Sequence, residues 1–153
     1  MKVAYIIQEK KNAGITVCCI HANRTLKDAA YEMAEFNIGA LIVTSPTDDE
    51  RYLGIISERD IICACAAGKD LSATPVSDLM NTNMIVITEE DTLEVANIIM
   101  NKHHIRHLPV IAKSKIIGMI TIRDVSKTLS EQKDIKIHYL SDFLGGTYGN
   151  SVY

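Results

Sequence analysis

No apolar run in this 153-residue chain approaches the roughly twenty residues that a membrane-spanning helix needs. Residues 38–43 are among the longest such runs. Basic residues are not in excess: 16 Lys and Arg stand against 19 Asp and Glu, a net charge of −3. Nucleic acid is therefore an unfavoured partner, because neither a basic stripe nor an aromatic stacking platform is present. Residues 1–8 are mildly apolar, but Glu9, Lys10 and Lys11 follow with no cleavage pattern, so no signal peptide is read. The four cysteines, Cys18, Cys19, Cys63 and Cys65, include no C-x-x-C pair. Vicinal Cys-Cys and C-x-C are poor zinc spacings, so these residues read as small buried hydrophobes of a cytoplasmic protein. None of G-x-G-x-x-G, G-x-x-x-x-G-K-S/T, H-E-x-x-H and G-x-S-x-G occurs, and no acid has an evident paired base. An enzyme is not expected.

What the sequence does contain is a copy of itself. At an offset of 67, Ile20, Thr25, Leu26, Ala29, Met33, Ile38, Leu41 and Val43 return as Ile87, Thr92, Leu93, Ala96, Met100, Ile105, Leu108 and Val110. Three residues then drop out, and Gly54-Ile55-Ile56-Ser57-Glu58-Arg59-Asp60 returns at an offset of 64 as Gly118-Met119-Ile120-Thr121-Ile122-Arg123-Asp124. The loss falls in the polar, proline-containing run 45–50, where a hairpin loop tolerates a change of length.

Each copy predicts strand, helix, strand, turn, strand, helix. Residues 17–20 are a short apolar strand. Leu26, Ala29, Ala30 and Met33 fall on one face of a helix that Thr25 and Asp28 can cap reciprocally. Runs 40–44 and 52–56 should pair as a hairpin, and a helix from about Asp60 should end at Gly68. Residues 76–80 predict a short lead-in helix to the second copy, whereas residues 9–13 of the first do not share its pattern. A last helix carries Val125, Leu129, Gln132, Lys136, Leu140 and Phe143 on one side and should stop at Gly145-Gly146, leaving a loose tail from Thr147. Four of the eight aromatics, Tyr139, Phe143, Tyr148 and Tyr153, lie in that last stretch, so a second subunit is a candidate to cover them. The division is a lead-in (1–14), two repeats (15–70 and 71–128) and an extension (129–153). Neither repeat can bury its sheet face alone; the pair can.

The doubled pattern closed by G-h-h-S/T-x-R-D (h, hydrophobic), with Val76-x-Asp78-x-Met80 and His107-Leu108-Pro109-Val110, resembles the CBS-domain family, in particular small bacterial proteins made of one CBS pair. The resemblance covers about residues 15–130. It implies a mixed α/β (α+β) fold of two three-stranded sheets face to face, with flanking helices and two symmetry-related clefts. It also implies an adenosine-containing ligand (AMP foremost; ADP, ATP, NAD or S-adenosylmethionine as others), a regulated protein partner and a homodimer of four repeats. Other readings are a nucleic-acid-binding CBS protein and a scaffold with empty clefts.

Taken without the family, Ser57 with Asp60 and Thr121 with Asp124 are capping boxes at helix starts. The same carboxylates could accept hydrogen bonds from a ribose diol, beside helix N-termini that attract anions. The resemblance implies that second role for Asp60 and Asp124, with Ser57 and Thr121 supplying hydroxyls. It further implies that Asp60, Ser57 and Ile55 share one cleft with Met80, Ile85, Ile105 and Arg106, and that Asp124, Thr121 and Met119 share the other with Ala13, Cys18, Ile38 and Gly39. Arg106 offers a donor fork suited to phosphate, and His107 adds charge when protonated; Gly39 and Ala40 hold the matching places and offer only backbone. Unequal clefts are expected. Arg59 and Arg123 are compatible equally with phosphate contact and with surface ion pairs. His103, His104 and His107 could take a metal only with further ligands that the nearby sequence lacks, so no metal is expected.

Overall fold

The chain's computed structural model describes residues 1–148, with residues 142 and 144–148 described by backbone alone. Helix α1 (Val3–Asn12) precedes the first repeat, which comprises β1 (Cys19–His21), α2 (Leu26–Glu35), β2 (Ala40–Ser45), β3 (Asp48–Ser57) and α3 (Glu58–Ala66). A 3-10 turn (Val76–Asp78) leads into the second: β4 (Ile87–Thr88), α4 (Leu93–His103), β5 (His107–Ala112), β6 (Lys115–Thr121) and α5 (Ile122–Tyr148). Each repeat forms a three-stranded sheet whose central strand, β2 or β5, pairs parallel with the first strand and antiparallel with the third. All six residues of β2 are buried, the apolar run Ala40 to Val43 and the polar Thr44 and Ser45 alike, as befits a strand between two others.

The local signals act as their chemistry requires. The Thr25 hydroxyl accepts from Asp28 N at 3.1 Å, and Asp28 Oδ2 accepts from Thr25 N at 3.0 Å, closing the capping box of α2. Gly68 takes φ +72°; its N–H donates to Cys65 O and that of Lys69 to Ala64 O, a Schellman stop for α3. In the second hairpin Lys113 and Ser114 both adopt positive φ, the two-residue turn whose twist matches that of the strands. In the first, β3 reclaims residues 48–51, so the turn expected over 45–50 narrows to Pro46 and Thr47.

Three expectations are corrected. Cys19, Cys63 and Cys65 are exposed and Cys18 is half-buried: strand alternation on β1 buries Ile20 and turns Cys19 outward, and α3 turns Ile61 and Ala64 inward and leaves Cys63 and Cys65 outside. Helix α5 runs through Gly145 and Gly146 to Tyr148: glycine weakens a helix by about 1 kcal/mol relative to alanine without forbidding it. The side chain of Tyr148 and all of Tyr153 lie outside the described residues.

The third correction concerns the lead-in. Its counterpart to Val76 is Val3, not a residue within 9–13: Lys2 bridges Thr92 as Pro75 bridges Thr25. The offset here is 73 rather than 67, so the first lead-in is six residues longer and winds into the three turns of α1. The two lead-ins are exchanged. Val3, Ile6 and Ile7 join the core of the second repeat, with Leu93, Leu108 and Ile120, while Val76 joins the core of the first, with Leu26, Leu41 and Ile56.

Candidate functional site

Two clefts carry the repeated Ser/Thr-x-x-Asp, each closed by elements of both halves. The first is a cavity of about 210 Å³ where the end of β3 and the start of α3 (Ile55, Ser57, Arg59, Asp60) meet Asn81, His104, Ile105, Arg106 and His107. The second, about 550 Å³, brings Met119, Thr121, Arg123 and Asp124 together with Cys18, Ile38, Gly39 and the α1 lysines Lys10 and Lys11. The structure thus gathers most of the expected site residues in the expected pairs of segments. Met80, Ile85 and Ala13 are not in the linings. Met80 packs on the first core, Ile85 packs on the second, and Ala13 is the exposed C-cap of α1.

The acids are held in one geometry. Asp60 Oδ2 accepts from Ser57 N at 2.7 Å and from Ser57 Oγ at 2.8 Å. Asp124 Oδ2 accepts from Thr121 N at 2.7 Å and Oγ1 at 2.9 Å. All four bonds fall on Oδ2, so capping and ligand binding are compatible: Oδ1 remains to accept from a diol. The clefts differ in what else reaches the acid. Lys10 Nζ lies 2.6 Å from Asp124 Oδ2 and donates to Met119 O at 3.0 Å. No cation is paired with Asp60 among the described residues, and Ile55, the counterpart of Met119, instead exchanges backbone hydrogen bonds with Asn81.

His107 lines both clefts, not the first alone as its place beside Arg106 suggests. Gly39 makes this possible. A Cβ there would sit 2.7 Å from His107 Nε2 and 2.9 Å from Cε1, so only glycine leaves room for the ring. Burial holds the imidazole below its ordinary 6.5, and Lys10 and Arg106 add to the effect against Glu58 and Asp124. Between the folded value and 6.5 the unfolded chain binds more protons, so this contribution to stability is complete above 6.5 and is lost as pH falls through that window. His107→Gln should therefore flatten the loss of unfolding free energy as pH falls from neutral through about 6.5 and below. An unchanged slope in denaturant titrations across that range would contradict the assignment.

Lys10, Lys11, Asn81, His104 and Glu58 were not among the expected site residues. The i, i+3, i+4 spacing of Val3, Ile6 and Ile7, continued by Lys10, is the sequence signal that would have placed the lysine on the inward face of a helix. His103, His104 and His107 gather no ligand set: no group of three or more His, Cys, Asp or Glu able to hold a metal occurs among the described residues. No helix among them is long and apolar enough to cross a membrane.

The CBS domain model matches residues 16–67 and 76–131. A mitochondrial CBS domain-containing protein of Arabidopsis thaliana is 32% identical over 127 residues, 81% of this chain; the chain spans 62% of that protein's length. The solved structure of a signal-transduction protein with CBS domains from Burkholderia ambifaria is 32% identical, with a TM-score of 0.78 over 84% of this chain and 93% of that one. A CBS domain protein from Pyrobaculum aerophilum, solved in complex with AMP, is 26% identical with a TM-score of 0.72 over 81% of this chain and 89% of that one.

Proposed function

Because the chain belongs to the CBS-domain family, we propose that it is a regulatory module whose first cleft binds an adenosine nucleotide, AMP foremost, and signals to a protein partner without catalysing a reaction. The observation that carries this reading is Asp60: a carboxylate oriented by Ser57, unpaired with any cation among the described residues, in one cavity with Arg59, His104 and Arg106. The carboxylate takes the ribose diol, and the guanidinium fork of Arg106 takes phosphate. Ile55 and Ile105 flank the base, whose edge is read by backbone N–H and C=O. Arg59 in the first cleft and Arg123 in the second line the cavities, which favours the phosphate-facing of their two roles. The AMP complex of the P. aerophilum relative supports AMP as the first ligand to try. ADP, ATP, NAD and S-adenosylmethionine share the adenosine and are the alternatives. Calorimetric titration of the ligand-free chain tests the reading: saturable AMP binding supports it, and no heat with any of the five ligands overturns it.

The active form of this reading is a homodimer. Support comes from large apolar side chains turned outward: Ile62 and Ile98 on the repeat helices, and Ile135, Tyr139 and Phe143 on α5, each more than 60% exposed in the single chain. Light scattering at micromolar concentration should return twice the 16.9 kDa chain mass. Removal of residues from 139 onward should shift the equilibrium toward monomer. A monomeric untruncated chain would refute the dimer, and unchanged assembly after truncation would return those aromatics to a local role.

A further inference from the structure

We infer that Lys10 governs the second cleft, making it a site that takes a ribose only in exchange for a lysine and therefore selects ligands that bring their own negative charge. This rests on the nucleotide-binding reading above. Lys10 Nζ holds the two groups a nucleoside would need there, the Asp124 carboxylate at 2.6 Å and the Met119 carbonyl at 3.0 Å. Its side chain is 21% exposed and that of Asp124 is 25% exposed, so the pair is mostly withdrawn from water. The first cleft has no equivalent, and the difference comes from the six extra residues of the lead-in, which carry the lysine into place.

The lysine is delivered by a fixed element. Val3, Ile6 and Ile7 are buried in the second core, and Ile7 occupies the space over Gly118, where a Cβ would lie 2.4 Å from its Cδ1. Lys10 follows Ile7 by three residues, on the same face of α1. A neutral nucleoside entering this cleft has to take Asp124 from Lys10 and leave an ammonium, partly desolvated, with no counter-ion. A nucleotide makes the same exchange but supplies a phosphate, to which the released Lys10 turns together with Lys11 and Arg123 of the same cleft. Entry of ligand is thereby an ion-pair exchange, and Lys10 is the residue that sets its selectivity. If Lys10 merely tethered α1, its replacement would lower stability and leave ligand preference alone.

The test silences the first cleft by Asp60→Ala together with Arg106→Ala, neither of which lines the second, and titrates the second calorimetrically with adenosine and with AMP. AMP should bind that variant at least about tenfold more tightly than adenosine. Adding Lys10→Met should strengthen adenosine by about tenfold and bring the two ligands toward parity, while adding Lys10→Arg, which keeps the charge, should preserve the preference for AMP. A preference unmoved by Lys10→Met, or adenosine equal to AMP with Lys10 in place, overturns the inference. If AMP binds the wild-type chain at one site and neither ligand binds the variant that carries Asp60→Ala, Arg106→Ala and Lys10→Met, the inference fails while the nucleotide reading stands. If nothing binds the wild-type chain, both fall.

Discussion

Asp60→Ala should weaken AMP binding at the tight site by about ten- to a hundredfold. The substitution removes the acceptor of a ribose diol and leaves those hydroxyls imperfectly paired in a cleft, a loss of ~1–3 kcal/mol. It also removes the two bonds from Ser57, so helix α3 loses about 1 kcal/mol of capping, and affinity must be read well below the melting temperature. Asp124→Ala should leave tight binding intact, because Asp124 is already engaged by Lys10 and belongs to the weaker cleft. Arg106→Ala should weaken AMP far more than adenosine, since only AMP offers a phosphate to the fork. Calorimetry on the three variants separates the roles. Tight binding abolished by Asp124→Ala and kept by Asp60→Ala would reverse the assignment of the clefts.

Leu41→Ala and Leu108→Ala should each destabilise the fold by about 2–5 kcal/mol. The two residues are repeat counterparts on the central strands β2 and β5, each fully buried, and neither site can collapse while flanked on both sides by paired strands. Against a typical stability of about 5–15 kcal/mol, either loss is large. The exchanged lead-ins tie the two cores together, so both variants should unfold in one transition in denaturant. A loss below about 0.5 kcal/mol, the level expected of an exposed position such as Tyr31, would contradict the described core.

Much of this architecture is legible in the chain because it is written twice. The offsets of 67 and 64 align helices, hairpins and capping acids, and a motif that recurs in register carries weight that one Ser-x-x-Asp would not. What escapes is what depends on how the halves meet. The lead-ins hide because their true offset, 73, breaks the register, so α1 and its inward Lys10 look like an unpatterned N-terminus. His107 reads as a neighbour of Arg106 alone until Gly39, distant in sequence, leaves a space for its ring. Cys63 and Cys65 show the converse limit: apolar neighbours along the chain suggest burial, but the helix face decides it, and Ile61 and Ala64 take the inside of α3.

Thermal unfolding of the ligand-free wild-type chain, with and without adenosine nucleotides, tests most directly whether this is a nucleotide-binding module. At a hundredfold excess over its dissociation constant, AMP should add ~2.7 kcal/mol and raise the unfolding midpoint by several degrees, with Asp60→Ala needing correspondingly more ligand for the same shift. A midpoint left unmoved by AMP, ADP, ATP, NAD and S-adenosylmethionine alike would contradict it.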